Sequence, residues 1–252
     1  MNISIVPKED NNAKIKKFMR DHGLHKIIAV SGGADSSLHG VLDDDPLQKQ
    51  YSEFASAFEE RVIGDALGMF RGYRIAILTG GTKWGVPKTA IMKAKEYGIM
   101  TIGIYPKTGE KYALGKEFLD LAICVEPFID ESRWGDESPM FTKLLDGVIV
   151  FGGGHGTLIE CSHLMKMNEA LIKYDKPKKF IVPIAGTGGV ADSLFHIWAK
   201  PDIRAKSMPK DKVHSGRQAG RILIQELNLD DYYDPSNIPT TEEKEGDSKD
   251  EK

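Results

Sequence analysis

Short apolar segments alternate along the chain with longer segments of helical periodicity. Six segments are apolar at consecutive positions, as expected for strands that are covered on both faces of a sheet. We predict these strands at residues 26–31, 74–78, 100–105, 119–125, 145–151 and 179–184. Amphipathic helices are predicted at residues 51–70, 87–97, 156–173 and 213–227. The alternation predicts an α/β fold with a doubly wound (Rossmann-like), mostly parallel sheet and helices on both faces.

The same pattern predicts one domain followed by a tail. No internal repeat and no linker divides residues 1–234, which we assign to a single Rossmann-like domain. Residues 235–252, PSNIPTTEEKEGDSKDEK, carry almost no apolar side chains. Because such a segment buries too little surface to offset its chain entropy, we predict a disordered, charged tail.

The composition narrows the classes of protein to consider. Of the 252 residues, 40% are hydrophobic and 28% are charged, which is typical of a soluble globular protein. The net charge of −3 provides no overall basic field for a nucleic acid. No apolar run approaches the ~20 residues that span a bilayer, and the N-terminus lacks a signal-peptide pattern, so we expect a cytoplasmic protein without membrane contact. Cys124 and Cys161 are too few for a disulfide framework and are predicted to be buried, reduced thiols.

Three glycine-rich turns follow predicted strands, and the strongest lies within residues 146–160, DGVIVFGGGHGTLIE. Glycines let the backbone approach a ligand closely, and the free amides of a helix start suit a phosphate. We therefore assign phosphate binding to Gly153, Gly154, Gly156 and Thr157. Glu160 lies one helical turn further on, where its carboxylate can face the ligand. The alternative is a tight turn without a ligand, in which Glu160 only caps the helix.

The second turn is LTGGTKWG at residues 78–85, followed by Pro87 in a position suited to the first turn of a helix. The carboxyl ends of parallel strands meet at one edge of a sheet, so this turn and the strongest turn are expected to form a crevice. We assign the sugar side of that crevice to Gly80, Gly81 and Thr82. A simple connection without a ligand is the alternative here as well.

The third turn is SGGADSS at residues 31–37. It resembles the SGGxDS loop of the PP-loop ATP pyrophosphatases, in which a long helix follows directly. Here the long helix is predicted only after residue 46, so the favoured interpretation is another turn of the same crevice. In that interpretation Ser31, Gly32 and Gly33 face the phosphate or the sugar.

Together these segments resemble the LOG ("Lonely guy") cytokinin-activating phosphoribohydrolases. GGGHGTLIE at residues 152–160 is similar to the family signature PGGxGTxxE, and VSGGADSS at residues 30–37 is similar to the first turn. GYRIAILTGGTKWGVPKTAIMKAKEYGIMTIGIYP at residues 72–106 matches the second turn with its helix and next strand. DKPKKFIVPIAGTGGVADSLF at residues 175–195 is similar to the strand and turn after the signature helix. The resemblance covers about residues 26–198.

The resemblance implies a nucleotide-binding protein that cleaves the N-glycosidic bond of a nucleoside 5′-monophosphate, releasing free base and ribose 5-phosphate. Glu160 would position water and oppose positive charge on the ribose, as carboxylates do in other glycosyl cleavages. A homodimer or a higher homo-oligomer is implied, with the signature helix at or near the interface. No metal and no cofactor is expected, and the partner is a small nucleotide.

The chain departs from the family pattern at two places. Gly152 replaces the proline of the signature. The family has an arginine four residues before a methionine, but the nearest arginine before Met140 is Arg133, in the longer segment DESRWGDESPM. We assign the second catalytic role to Arg133, which would orient Glu160 or assist the departing base. The neighbouring Trp134 is a candidate for stacking on a base. The wider superfamily also contains nucleotide sensors and a molybdenum-cofactor carrier, so the alternative is a non-catalytic sensor or carrier that uses the same pocket.

Overall fold

A six-stranded, all-parallel sheet forms the centre of the molecule. The computed structural model describes residues 11–34, 46–127, 135–198 and 200–239. The sheet order is β4-β3-β2-β1-β5-β6, and every neighbouring pair runs parallel. The strands are β1 Lys26–Gly32, β2 Ile75–Thr79, β3 Met100–Pro106, β4 Leu121–Val125, β5 Gly147–Phe151 and β6 Phe180–Pro183. The predicted fold class is confirmed. The bounds of each predicted strand differ by at most two residues from those of an observed strand.

Eight α-helices are found in the described part of the chain. They are α1 Asn11–Asp21, α2 Pro46–Gly68, α3 Gly85–Glu96, α4 Ser138–Leu144, α5 His155–Lys173, α6 Gly189–Ser193, α7 Pro201–Ser207 and α8 Gly216–Glu226. Helices α2, α3, α5 and α8 were predicted from their periodicity, whereas α1, α4, α6 and α7 were not. The last three span only five to seven residues, too few for a helical period to stand out.

The core lies in two layers, one on each face of the sheet. Along β1, Ile28 and Val30 contribute to the layer beneath α2, α3 and α8. Ile27 and Ala29 point to the opposite layer, which includes buried residues of α1, α4, α5 and α6. This double coverage explains the unbroken apolar runs in the sequence, because both faces of each strand need apolar side chains. Cys161 is buried as predicted, but Cys124 is only partly buried, since it lies on the edge strand β4.

The topology brings the three glycine turns to one crevice. From β1 the chain adds β2, β3 and β4 on one side, and then crosses over to add β5 and β6 on the other side. Strand order therefore reverses between β1 and β5, the position at which doubly wound sheets bind ligands. The three turns follow β2, β1 and β5, which are adjacent in the sheet. Their expected position at one edge is confirmed.

The chain stays regular beyond the predicted start of the tail. Pro235–Asn237 forms a 3-10 helix, and the Asp234 carboxylate accepts a hydrogen bond from the Ser236 amide. Asp234 also pairs with Arg74, with 2.6 Å between the oxygen and the guanidinium nitrogen. Residues 235–239 thus lie in the described part with local hydrogen bonds, whereas residues 240–252 lie outside it, and the disordered tail stays a prediction. Among described residues, no helix has the length and apolar character needed to cross a bilayer.

Candidate functional site

A cavity of about 700 Å³ lies at the crevice between β1 and its two neighbours. It is lined by all three glycine turns, by the start of α4 and by Tyr112, which ends a 3-10 helix at Lys107–Tyr112. The cavity brings together most of the predicted binding residues, which are Ser31, Gly32, Gly33, Gly80, Thr82, Gly154, Gly156, Thr157 and Glu160. The inference that the three turns form one site is thus supported by their shared geometry.

Two predicted binding glycines shape the turns instead of lining the cavity. Gly81 has a φ of +65°, and a Cβ there would lie 3.1 Å from the Cα of Gly103 on β3. Gly153 has a φ of +95°, and its Cβ would lie 2.4 Å from Oγ1 of Thr157. Both positions require glycine for backbone conformation and close packing. The predicted Arg133 and Trp134 lie outside the described residues.

Glu160 lines the cavity and is hydrogen-bonded to the first turn. The Ser31 hydroxyl donates a hydrogen bond to Oε2 of Glu160. Burial raises the pKa of Glu160 from its ordinary value of 4.5 to about 8; the Ser31 hydrogen bond opposes this and the charge of Glu137 adds to it. A carboxyl group with such a pKa is mostly protonated at pH 7. The helix-capping alternative is not supported, because Gly154 is the N-cap of α5 and Glu160 lies six residues further on, beyond the position of a capping box.

Glu137 is a second carboxylate in the cavity, and the sequence analysis did not identify it. It lies immediately before α4 and lines the cavity together with Glu160. Its Oε2 accepts a 2.8 Å hydrogen bond from the Gly135 amide, while burial raises its pKa. Asp136 lies four residues before Met140, at the position where the family that the sequence resembles has an arginine. This departure from the family pattern is the one signal in the sequence that pointed to the segment.

The start of α5 faces the cavity with an open backbone. Gly154 and Gly156 line the cavity, and a Cβ at either position would have no neighbour within 4 Å. The first amides of a helix have no partner within the helix, and the helix dipole favours negative charge there. Thr157 is buried and adds a hydroxyl to the same wall. This end of the cavity therefore has the chemistry to hold a phosphate.

The turn before α5 differs in conformation from a turn that contains proline. Gly152 has a φ of +55°, and its amide donates a 2.9 Å hydrogen bond to Oγ1 of Thr187. Proline has no amide hydrogen and a φ near −65°, so it could provide neither feature. The carbonyls of Gly152 and Gly153 each accept a 3.0 Å bond from the start of α6. The glycine thus ties the β5 turn to the turn after β6.

The site offers no evident metal centre. Across residues 11–34, 46–127, 135–198 and 200–239, no three His, Cys, Asp or Glu side chains converge in a way that could hold a metal ion. Its described groups are two carboxyls, hydroxyls and backbone amides, which can transfer protons and bind an anion.

The raised pKa of Glu160 predicts a specific dependence of stability on pH. A raised carboxyl pKa favours the folded state most below pH 4.5, and this contribution is lost as the pH rises to about 8. For one such group, the free energy of unfolding changes by about 1.4 kcal/mol per pH unit. We expect Glu160→Gln to remove this slope, so that the variant gains stability relative to the wild type between pH 5 and 8. Denaturant unfolding across this range measures the difference.

Glu169→Gln is the matched control for that comparison. Glu169 lies on the same helix, but Lys200 and Lys166 lower its pKa. Parallel stability curves for the wild type and Glu160→Gln would contradict a raised pKa at Glu160.

The sequence of this chain matches the model of a known protein family. The model of the SLOG cluster4 family matches residues 55–190 of the chain. No curated protein matches the sequence. The matched residues include β2, the whole start of α5 and Glu160.

Two solved structures share the fold. The X-ray structure of TM1055 is 20% identical in sequence with a TM-score of 0.52, and the match covers 80% of this chain and 99% of that one. The molybdenum cofactor carrier protein of Chlamydomonas reinhardtii is 19% identical with a TM-score of 0.50, covering 81% and 98%. At these identities the likeness concerns the fold alone.

Proposed function

The chain belongs to the SLOG cluster4 family, a LOG-like family, and from that premise we propose that it is a phosphoribohydrolase. The reaction is cleavage of the N-glycosidic bond of a nucleoside 5′-monophosphate to free base and ribose 5-phosphate. The observation that carries the proposal is the position of Glu160. Its protonated carboxyl shares one cavity with the second carboxylate Glu137 and the open amides at the start of α5.

In the proposed reaction Glu160 acts as the acid, which revises the role inferred from sequence. Because Glu160 is mostly protonated at pH 7, it can give its proton to the base as the bond between C1′ and nitrogen breaks. The bonding electron pair leaves with the base. The oxygen of a water molecule forms the new bond to C1′, and Glu137 accepts the proton that this water releases. Pairs of carboxyl groups divide acid and base roles in this way in other glycosyl cleavages.

Phosphate binding is assigned to the start of α5, on the helix that also carries Glu160. The amides around Gly154 and Gly156 and the Thr157 hydroxyl hold the 5′-phosphate, while Gly80 and Thr82 line the sugar side. Arg133 remains part of the proposal, because it precedes the cavity-lining Gly135 by two residues. Its positive charge would oppose the electrostatic repulsion between the carboxyl groups of the site and an anionic ligand.

A second candidate is a carrier or sensor that binds a nucleotide or cofactor without cleaving it. Asp136 favours this function, because it replaces the arginine of the hydrolase pattern four residues before Met140. The similar fold of the Chlamydomonas structure, a molybdenum cofactor carrier by its name, is compatible with this candidate.

The pH dependence of turnover separates the two roles of the carboxyl groups. With AMP as substrate, we expect kcat/KM to fall as the pH rises through about 8, because Glu160 then loses the proton that it donates. On the acidic side it should fall as Glu137 becomes protonated. Glu137→Gln should remove the acidic limb and keep the basic limb. A kcat/KM that rises through pH 8 would contradict the assignment of Glu160 as the acid.

A further inference from the structure

We propose that Trp84 and Tyr112 form a stacking platform for the base of the ligand. The inference rests on the proposed function for the identity of the ligand as a nucleotide. It adds the recognition of the ring, which neither the family signature nor the glycine turns address.

Both aromatic rings border the same cavity as Glu160. Their centroids are 5.5 Å apart and their planes are inclined by 52°. Trp84 is 50% exposed and Tyr112 is 36% exposed. Large aromatic side chains usually bury most of their surface, so an exposed pair that lines a cavity is available to a planar ligand. Because the two planes are inclined by 52°, a flat base can stack on one ring while its edge contacts the other.

The platform is held in place by the backbone on both sides. The Lys83 amide donates a 3.0 Å hydrogen bond to the Tyr112 carbonyl, and the Leu114 amide donates a 2.7 Å bond to the Gly81 carbonyl. These bonds join the turn after β2 to the 3-10 helix that ends at Tyr112. The backbone positions that carry the two rings are therefore joined to each other without a ligand, which lowers the cost of ordering this part of the site.

The other residues that line the cavity provide surfaces for the rest of a nucleotide. Pro87 and Phe141 provide apolar surface, while the open amides of α5 and Glu160 border the same space. A ligand with a ring on the platform and a phosphate at α5 places its glycosidic bond between them, within the cavity that Glu137 and Glu160 line. Trp84 also borders a smaller hollow of about 400 Å³ between α2 and α3. Tyr112 does not, so both rings are tested.

Calorimetric titration of the full chain with AMP, CMP and ribose 5-phosphate tests the platform. We expect AMP and CMP each to bind more tightly than ribose 5-phosphate. Trp84→Ala and Tyr112→Ala should each weaken AMP binding by about ten- to a hundredfold, the usual effect of losing one base-stacking side chain. Binding of ribose 5-phosphate should stay unchanged, which also shows that the variants are folded. Trp84→Phe should retain most of the AMP affinity.

Tyr174→Ala is the control, since Tyr174 is 65% exposed just beyond α5 and does not line the cavity. Equal loss of AMP and ribose 5-phosphate affinity in Trp84→Ala, or no loss of either, would overturn the platform. Failure of the wild type to bind any of the three ligands would overturn both the platform and the proposed function. Base-dependent binding that is lost in Trp84→Ala, without any release of base by the wild type, would support the platform and refute the hydrolase.

Discussion

Glu160→Gln is expected to lower kcat for AMP cleavage by about a hundredfold or more, with little change in AMP affinity. Loss of a general acid alone slows a reaction by about 10²–10⁴. At pH 7 the neutral glutamine resembles the protonated Glu160 in size and charge, and its amide oxygen can still accept the bond from Ser31. It has no acidic proton to give to the departing base, so the loss falls on the transition state.

The effect is compared with that of Glu169→Gln, the same substitution about two and a half turns further along α5. The Glu169 side chain pairs with Lys200 and Lys166. That variant should keep the wild-type kcat. Steady-state kinetics with AMP, together with calorimetry of AMP binding, separates kcat from affinity. Full turnover by the Glu160→Gln variant would show that Glu160 takes no part in the chemical step.

Gly85→Ala is expected to destabilise the fold by about 2–5 kcal/mol, from backbone strain and overpacking together. Gly85 has a φ of +56°, and a Cβ there would lie 2.3 Å from the carbonyl oxygen of Gly33. The neighbouring Val86 amide donates a 3.0 Å hydrogen bond to that same oxygen. An added methyl group must therefore push the start of α3 away from the first turn, which also displaces part of the cavity wall.

Gly80→Ala is the matched control, because Gly80 lines the same cavity but a Cβ there would have no neighbour within 4 Å. Its free energy of unfolding should stay within about 1 kcal/mol of the wild type. Denaturant unfolding followed by circular dichroism measures both variants. Equal stability of the Gly85→Ala and Gly80→Ala variants would show that the contact with Gly33 does not restrict the turn.

The sheet could be predicted from sequence because its apolar runs are direct consequences of burial. Ile27 through Val30 are all buried, since alternate side chains enter the two core layers. Short helices left no such trace: α4 has seven residues, fewer than two and a half turns. Because α4 was missed, the approach of Glu137 to Glu160 could not be foreseen.

The glycine turns show a second limit of sequence interpretation. Gly80 and Gly81 look alike in the sequence, yet only Gly80 lines the cavity, while Gly81 packs against β3. Which glycine faces a ligand depends on φ and on the neighbouring strand, and neither is written in the local sequence. The raised pKa of Glu160 likewise comes from burial by segments that are distant in the sequence.

The most direct test of the proposed function is chemical identification of the products formed from AMP. The purified protein is incubated with AMP at pH 7, and the mixture is separated and analysed by mass spectrometry beside a sample containing Glu160→Gln. We predict adenine and ribose 5-phosphate in equal amounts from the wild type, and neither above background from the variant. Intact AMP in the presence of wild-type protein that binds it, or release of adenosine and inorganic phosphate, would contradict the proposed cleavage of the N-glycosidic bond.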